Sequence, residues 1–232
     1  VIYLDCDLAV TADISALFES DLNGAILGGV INIADAQMQE YIANELKLSP
    51  DSYINSGVLL INCFEFNDKN IKNKCLGKLR QLKKLDCPDQ DVLNLCCAGK
   101  IKLLDAGWNL QWHELVFDNP QSTHLYRYKE AIDQMERDHK IIHYTSSKKA
   151  WNFPGRKYSK YFWDYAKKTS LYEDIISQEL NKTNQKFSSQ RPLYEPYENA
   201  IEISYLNQEL QNIQKSWSFR IGRFITFIPR KI

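Results

Sequence analysis

Short unbroken apolar runs alternate along this chain with stretches in which apolar positions recur every three or four residues. The first run, Val1-Ile2-Tyr3-Leu4, reads as a strand buried on both faces, as in a parallel sheet. It stops at two carboxylates one residue apart, Asp5 and Asp7. Asp13 to Phe18 reads as a capped helical turn, Gly24 to Ile31 as a strand, and Met38 to Leu46 as a helix closed off by Pro50. Tyr53 to Asn62 is a second buried strand. Ile71 to Leu85 has helical spacing, with Ile71, Cys75, Leu79 and Leu82 on one face and lysines on the other. Pro88 opens a helix that runs to Ala98 and ends at Gly99. Ile101 to Leu104 and Ile141 to Thr145 are further strands, followed by two aromatic helices, Ser159 to Lys168 and Leu171 to Asn181. Strands alternating with helices predict an α/β domain with a mainly parallel sheet over residues 1–181.

Residues 182–196 are polar, contain two prolines, and read as a linker. The segment 197–232 beyond it is helical and basic-aromatic in character. In it Ile203, Leu206, Leu210, Ile213 and Trp217 step by threes and fours, a short seam suited to self-association. From Lys215 to Ile232 the chain mixes five cations with one Trp and three Phe. That mixture suits the headgroup boundary of an anionic membrane, with packing on its own domain or a coiled-coil contact as the other readings.

Composition narrows the picture only a little. The 29 basic residues balance 29 acidic ones over 232 residues, so no overall field favours nucleic acid, and no partner of that kind is expected. Six cysteines show no Cys-x-x-Cys pair and no zinc-like His spacing. They read as structural thiols in a reducing compartment. The sequence contains no apolar run long enough to span a membrane and no signal peptide.

The chemistry begins with Asp5 and Asp7. Side chains at i and i+2 of an extended segment point the same way, so the two carboxylates converge while Cys6 faces elsewhere. Two hard oxygen ligands at the carboxyl end of a strand suit a divalent cation that also holds phosphates. An isolated Asp-x-Asp is more often a helix or turn cap. Three other blocks alter that balance: YINSGVLLIN at 53–62, DQDVLN at 89–94 and IIHYTSSKKAW at 141–151.

Taken together and in this order, the four blocks resemble glycosyltransferase family 8, the retaining enzymes typified by lipooligosaccharide α-galactosyltransferases and glycogenin. The resemblance runs from Val1 to about Trp151. It implies a GT-A, Rossmann-like fold for nucleotide-diphospho-sugar transfer, here followed by a C-terminal helical extension. It implies a metal held by Asp5, Asp7 and His143, and an imidazole beside two carboxylates favours Mn²⁺ over Mg²⁺. Asp5, Asn55, Ser56, Gly57, Asp89, Ser146 and Lys149 would bind the donor, with Asp89 on the sugar hydroxyls and Gln90 beneath the anomeric carbon. Asp89 and Gln90 are thus the expected catalytic pair. Gly57 would let ligand approach the backbone closely.

Departures from the family pattern fall in one loop. Ser146 stands where the family has Gly and Ala150 where it has Pro, while Lys149 and Trp151 match. Diphosphate closure then requires that position 146 need no positive φ, and Lys148 could substitute for Lys149 if the loop shifts. The implied function is transfer of galactose or glucose from a UDP-sugar to a glycan or lipid-linked glycan acceptor, in lipopolysaccharide or cell-surface polysaccharide synthesis. The implied location is the cytoplasmic face of the cytoplasmic membrane, peripherally bound. A catalytically silent sugar-nucleotide- or glycan-binding homologue is the alternative that the altered loop leaves open. Family members place the uridine-binding half of the sheet upstream of the Asp-x-Asp strand. The chain is therefore expected to be N-terminally truncated, lacking roughly 60–90 residues, or about two βα units.

Overall fold

The computed structural model describes residues 1–82, 84–112 and 123–179, together with 204, 207, 208 and 211. The chain divides into two compact units, Val1–Ser147 and a second beginning at Lys148. The linker expected at 182–196, the boundary before it, the seam at 203–217 and the basic-aromatic tail lie outside the described residues, apart from those four positions.

In the first unit the elements follow in order: β1 (Ile2–Leu4), β2 (Leu8–Val10), α1 (Ser15–Phe18), β3 (Leu27–Ile31), α2 (Ala36–Asn44), β4 (Ile54–Ile61), α3 (Cys63–Asp68), α4 (Ile71–Gln81), α5 (Pro88–Cys96) and β5 (Ile101–Leu103). A 3₁₀ turn, Ala106–Asn109, leads into β6 (Leu110–Gln111). A second 3₁₀ turn, Thr123–Tyr128, leads into α6 (Lys129–Arg137), and β7 (Ile141–His143) follows. One sheet has the order β1-β4-β3-β5 and another the order β2-β7-β6.

Several starts are set by local chemistry. Asp35 accepts from the Met38 N–H at the head of α2, and Asn62 caps α3 through Glu65. Pro88 takes the first turn of α5, where an N–H would be an orphan. Asp13 accepts from the Ser15 N–H at 2.8 Å, the turn expected there.

Three expectations are corrected. The sheet is not mainly parallel: among the described residues β1 and β3 both run antiparallel to β4, and β2 antiparallel to β7. Only β3 with β5 and β6 with β7 are parallel. A strand covered on both faces shows an unbroken apolar run whichever way its neighbours point, and β4 is buried from Ile54 to Leu60. Burial sets the run, and pairing direction does not. Nor is the first strand buried on both faces. In this structure β1 lies at the sheet edge, with Val1 and Tyr3 exposed. The α4 helix also stops at Gln81 rather than Leu85, because Leu82 turns extended, and Leu79 on the expected apolar face is exposed.

The core of this unit gathers around β4. Ile26, Leu27, Ile54 and Leu59 pack with Ile71 of α4 and Cys97 beyond α5. Ile42 of α2, Leu46, Tyr53 and Tyr128 form a second cluster. Between these clusters α5 turns a polar face inward: Gln90, Asp91 and Asn94 are all buried. The Asn94 amide meets the β4 backbone on both sides, accepting from the Ile54 N–H and donating to its carbonyl, each at 2.9 Å. Asp91 accepts from the hydroxyls of Tyr41 (2.8 Å) and Tyr53, and from the Cys87 N–H at 3.1 Å.

The described part of the second unit contains α7 (Ser159–Ala166) and a helical stretch at 172–179. Trp163 is fully buried with Ala166 and Ile176, and Trp151, Phe162 and Tyr172 pack around it. Its indole N–H donates to the Ala150 carbonyl at 3.1 Å.

The Asn94→Leu variant leaves two buried peptide groups without partners, and is expected to lose about 2–4 kcal/mol of stability in urea unfolding. A second measurement concerns alkaline pH. Burial first, and for Tyr41 also Asp91, pushes Tyr41 and Tyr128 up to about 12. In the unfolded chain tyrosine ionises near pH 10, at about its ordinary value. This stabilisation is complete below that pH and is lost as the pH climbs to about 12. The part of the tyrosinate absorbance that Tyr41→Phe and Tyr128→Phe remove is expected to appear together with loss of the fold, not before it.

Candidate active site

Between β1 and β2 the chain passes from one sheet to the other, and the Asp-x-Asp occupies the crossing. The Asp5 N–H donates to the Gly57 carbonyl of β4 at 2.9 Å, which ties the first carboxylate to the first sheet. The Asp7 carbonyl accepts from the Tyr144 N–H, just after β7, at 3.0 Å, tying the second to the other. In the β2–β7 ladder Leu8 stands opposite His143. His143 Nε2 thus lies 3.6 Å from Asp5 Oδ2 and 3.4 Å from Asp7 Oδ1. Cys6, between the two carboxylates, is exposed.

The three donor atoms lie within 4.8 Å of one another. Two carboxylate oxygens and one imidazole nitrogen form a donor set suited to a divalent first-row cation, and the His–Asp spacings are slightly wider than those of neighbouring ligands at bonds of about 2.1 Å. Among the described residues this is the cluster able to hold a metal. Tyr3 supports it from outside, donating to Asp5 Oδ1 at 2.8 Å. That bond and the Asp5 charge push the Tyr3 phenol up to about 12.

Gly57 has the His143 imidazole as a close neighbour. A Cβ there would fall 2.1 Å from His143 Cε1, so the missing side chain makes room for the imidazole.

A cavity of about 260 Å³ opens beside these residues, lined by Asn32, Asn55, Gln90, Gln111 and Thr145, with Asp35 also on its wall. Its polar lining is mostly amide. Gln90 Oε1 accepts from the Ser56 N–H at 3.0 Å and its Nε2 reaches Asn32 Oδ1 at 3.4 Å. Ser56 Oγ donates to Asp89 Oδ2 at 2.9 Å. Asn55 donates to Asn32 Oδ1 at 3.2 Å. Gln111 pins the loop bearing Asn32, donating to the Ile31 carbonyl at 2.7 Å and accepting from the Ile33 N–H at 2.8 Å.

The structure therefore brings together Asp5, Asp7, His143, Asn55, Ser56, Gly57, Asp89 and Gln90. Ser146 is buried in the same unit. Among the described non-glycine residues a positive φ occurs at Asn23, Lys47, Asn70 and Tyr158, and not at Ser146, so serine is accommodated without strain. Lys149 belongs to the second unit, where its carbonyl accepts from the Asn152 and Phe153 N–H groups in a turn. Asn32, Asn109 and Gln111 were not expected. Asn109 ends a 3₁₀ turn and Gln111 a two-residue strand, elements too short for a sequence period to mark them.

Solved structures share this fold. The chain superposes on the bifunctional glycosyltransferase WbbM with a TM-score of 0.68 at 21% identity, covering 78% of this chain and 34% of that one. It superposes on the galactosyltransferase LgtC, in complex with donor and acceptor sugar analogues, with a TM-score of 0.51 at 26% identity, covering 65% and 54%. The fold is that of the GT-A glycosyltransferases. The family model for glycosyl transferase family 8 matches residues 1–154, and the chain belongs to that family. Among curated relatives, the lipopolysaccharide 1,2-glucosyltransferase of Escherichia coli (strain K12) is 30% identical over 168 residues, 69% of this chain and 47% of that protein. The chain spans about half the length of the first curated relatives it matches.

Gly57→Ala is expected to drive the His143 ring away from Asp5 and Asp7. Calorimetric titration with Mn²⁺ should show affinity reduced on the order of 10- to 100-fold, with circular dichroism unchanged. Undiminished binding would mean that the ring is not a ligand.

Proposed function

We propose that this chain carries the metal- and donor-handling part of a retaining hexosyltransferase. It would move galactose or glucose from a UDP-sugar to a glycan or lipid-linked glycan acceptor of the cell surface, in lipopolysaccharide or polysaccharide synthesis. The observation that carries this reading is the convergence of Asp5, Asp7 and His143 next to a cavity walled by Gln90. The relatives support it, since one is a lipopolysaccharide glucosyltransferase and another binds donor and acceptor sugar analogues.

Asp5, Asp7 and His143 would hold a divalent cation, Mn²⁺ in preference to Mg²⁺ because one donor is nitrogen. When bound, that ion supplies positive charge against the diphosphate that leaves. The protein's own residues do the rest. Asp89, with Oδ2 engaged by Ser56, presents its other oxygen to a donor-sugar hydroxyl. Gln90 is held by the Ser56 N–H so that its carbonyl, which has a second lone pair, faces developing positive charge at the anomeric carbon.

An amide oxygen is too weakly basic to serve as a nucleophile, so retention by a covalent intermediate is disfavoured. We therefore favour attack on the face the diphosphate leaves. The acceptor oxygen bonds to the anomeric carbon, the bond to the phosphate oxygen breaks, and the hydroxyl proton passes to the departing phosphate. Lys149 would neutralise leaving-group charge, and Ser146 would offer its N–H to a phosphate oxygen. The amides of Asn32, Asn55 and Gln111 suit hydroxyl-rich substrates.

We place the protein at the cytoplasmic face of a membrane. Among the described residues no helix is long and apolar enough to cross one. Contact with an anionic bilayer is supported by the second unit, where Lys157, Lys160 and Lys168 lie over the rings of Tyr158, Tyr161 and Tyr165 at 4.6–5.2 Å. Cation and ring together suit a headgroup layer.

UDP release from a panel of UDP-sugars, measured on the complete gene product, tests the central reading. Asp7→Ala should cost on the order of 10³-fold or more in rate, EDTA should abolish turnover, and the product should show α-anomeric coupling by NMR. Full turnover in EDTA or a β-linked product would overturn it. Separately, removing residues 215–232 should weaken cosedimentation with anionic vesicles, since each cation near such a surface contributes about 1 kcal/mol. Unchanged cosedimentation would remove the tail from the membrane reading.

A further inference from the structure

Behind the metal-facing side of His143 runs a closed series of buried amides whose orientation is dictated by one backbone group. The Gly57 N–H can only donate, and it donates to Asn55 at 3.0 Å, so the receiving atom is the Asn55 carbonyl oxygen. Asn109 approaches that same oxygen at 2.9 Å and must therefore present its NH₂ group there. Its own carbonyl oxygen is left facing His143 Nδ1 at 3.1 Å. An amide oxygen has no proton to give, so Nδ1 must carry one. The neutral ring has a single N–H, and Nε2 is thus the lone-pair nitrogen that looks toward Asp5 and Asp7. A flipped Asn109 would set oxygen against oxygen at Asn55, and a flipped Asn55 would set its NH₂ against the Gly57 N–H. Asn109 is wholly buried, so water cannot repair either mismatch.

We propose that Asn109 is a positioning residue that holds His143 in the tautomer able to bind a metal, with the Gly57 N–H setting the choice through Asn55. The ring nitrogen that binds is decided by the hydrogen bond the other one makes. The role rests on the metal-dependent reading above, whereas the tautomer itself follows from the hydrogen-bond directions alone.

The experiment uses the whole protein in three forms: wild type, Asn109→Leu and Asn109→Asp. Histidine-¹⁵N NMR on the metal-free protein reads the tautomer, and calorimetric titration with Mn²⁺ reads the site. In the wild type the neutral His143 ring should carry its proton on Nδ1. Asn109→Leu should populate the Nε2–H form and weaken Mn²⁺ binding on the order of 10- to 100-fold, whereas Asn109→Asp, which keeps the acceptor for Nδ1 but sets oxygen against the Asn55 oxygen, should lose stability while keeping the Nδ1–H ring. A merely structural asparagine would not show that separation. An Nε2–H ring in the wild type overturns the proposal, as does Asn109→Leu with wild-type affinity and tautomer. Should Asn109→Leu fail to fold, the wild-type spectrum alone decides. An Nδ1–H ring in a protein that binds no Mn²⁺ would leave the tautomer standing and sink the metal-dependent function instead.

Discussion

Two backbone hydrogen bonds, Asp5 N–H to the Gly57 carbonyl and Tyr144 N–H to the Asp7 carbonyl, fix the crossing on which the candidate site depends. A strand that ended in solvent would leave its terminal carboxylates to wander. Here the three-residue crossing is held at each end by a different sheet, so its backbone has little conformational freedom left to lose when the carboxylates take up a ligand. The ladder between β2 and β7 brings His143 to the same place. Residues 138 positions apart in sequence, 5 and 143, thus meet because backbone pairing sets the distance, and their side chains need only point along it.

The second organising feature is the inward polar face of α5. Burying Gln90, Asp91 and Asn94 in a row would be costly if any polar atom lost its partner. Asn94 stands in for a neighbouring strand at Ile54, Asp91 takes two tyrosine hydroxyls, and Gln90 takes a peptide N–H of β4. Directional bonds of this kind admit one seating of the helix against the sheet, whereas an apolar face would tolerate sliding. The helix that carries Asp89 and Gln90 is therefore registered to the strand that carries Asn55, Ser56 and Gly57.

How much of this was legible depended on element length and on whether a residue's partners lay nearby in sequence. The long elements showed their period: β4, α2 and α5 stand within a few residues of their expected bounds. The strands β2 and β6, of three and two residues, are too short to show any period. The α6 helix, KEAIDQMER, hides among charges, with Met135 as its buried residue. Strand direction was misread because an apolar run records covering and not pairing. At the site, Asp5, Asp7, His143, Asp89 and Gln90 stand in blocks whose order is distinctive. Asn32 and Asn109 do not. A lone asparagine in a sequence reads as a turn or a cap, and what each does here is defined by partners 23 to 58 residues away.

The space left by the absent side chain at position 57 has a consequence for how this chain can vary. The His143 ring occupies the volume that any larger residue there would need, so the two positions form one packing unit and cannot drift independently. A lineage that abandoned the histidine would be released to place alanine or serine on the strand, and one that first gained the methyl group would have lost the ring's seat. The state of this pair therefore records whether a descendant of the scaffold keeps the ring's seat beside Asp5 and Asp7.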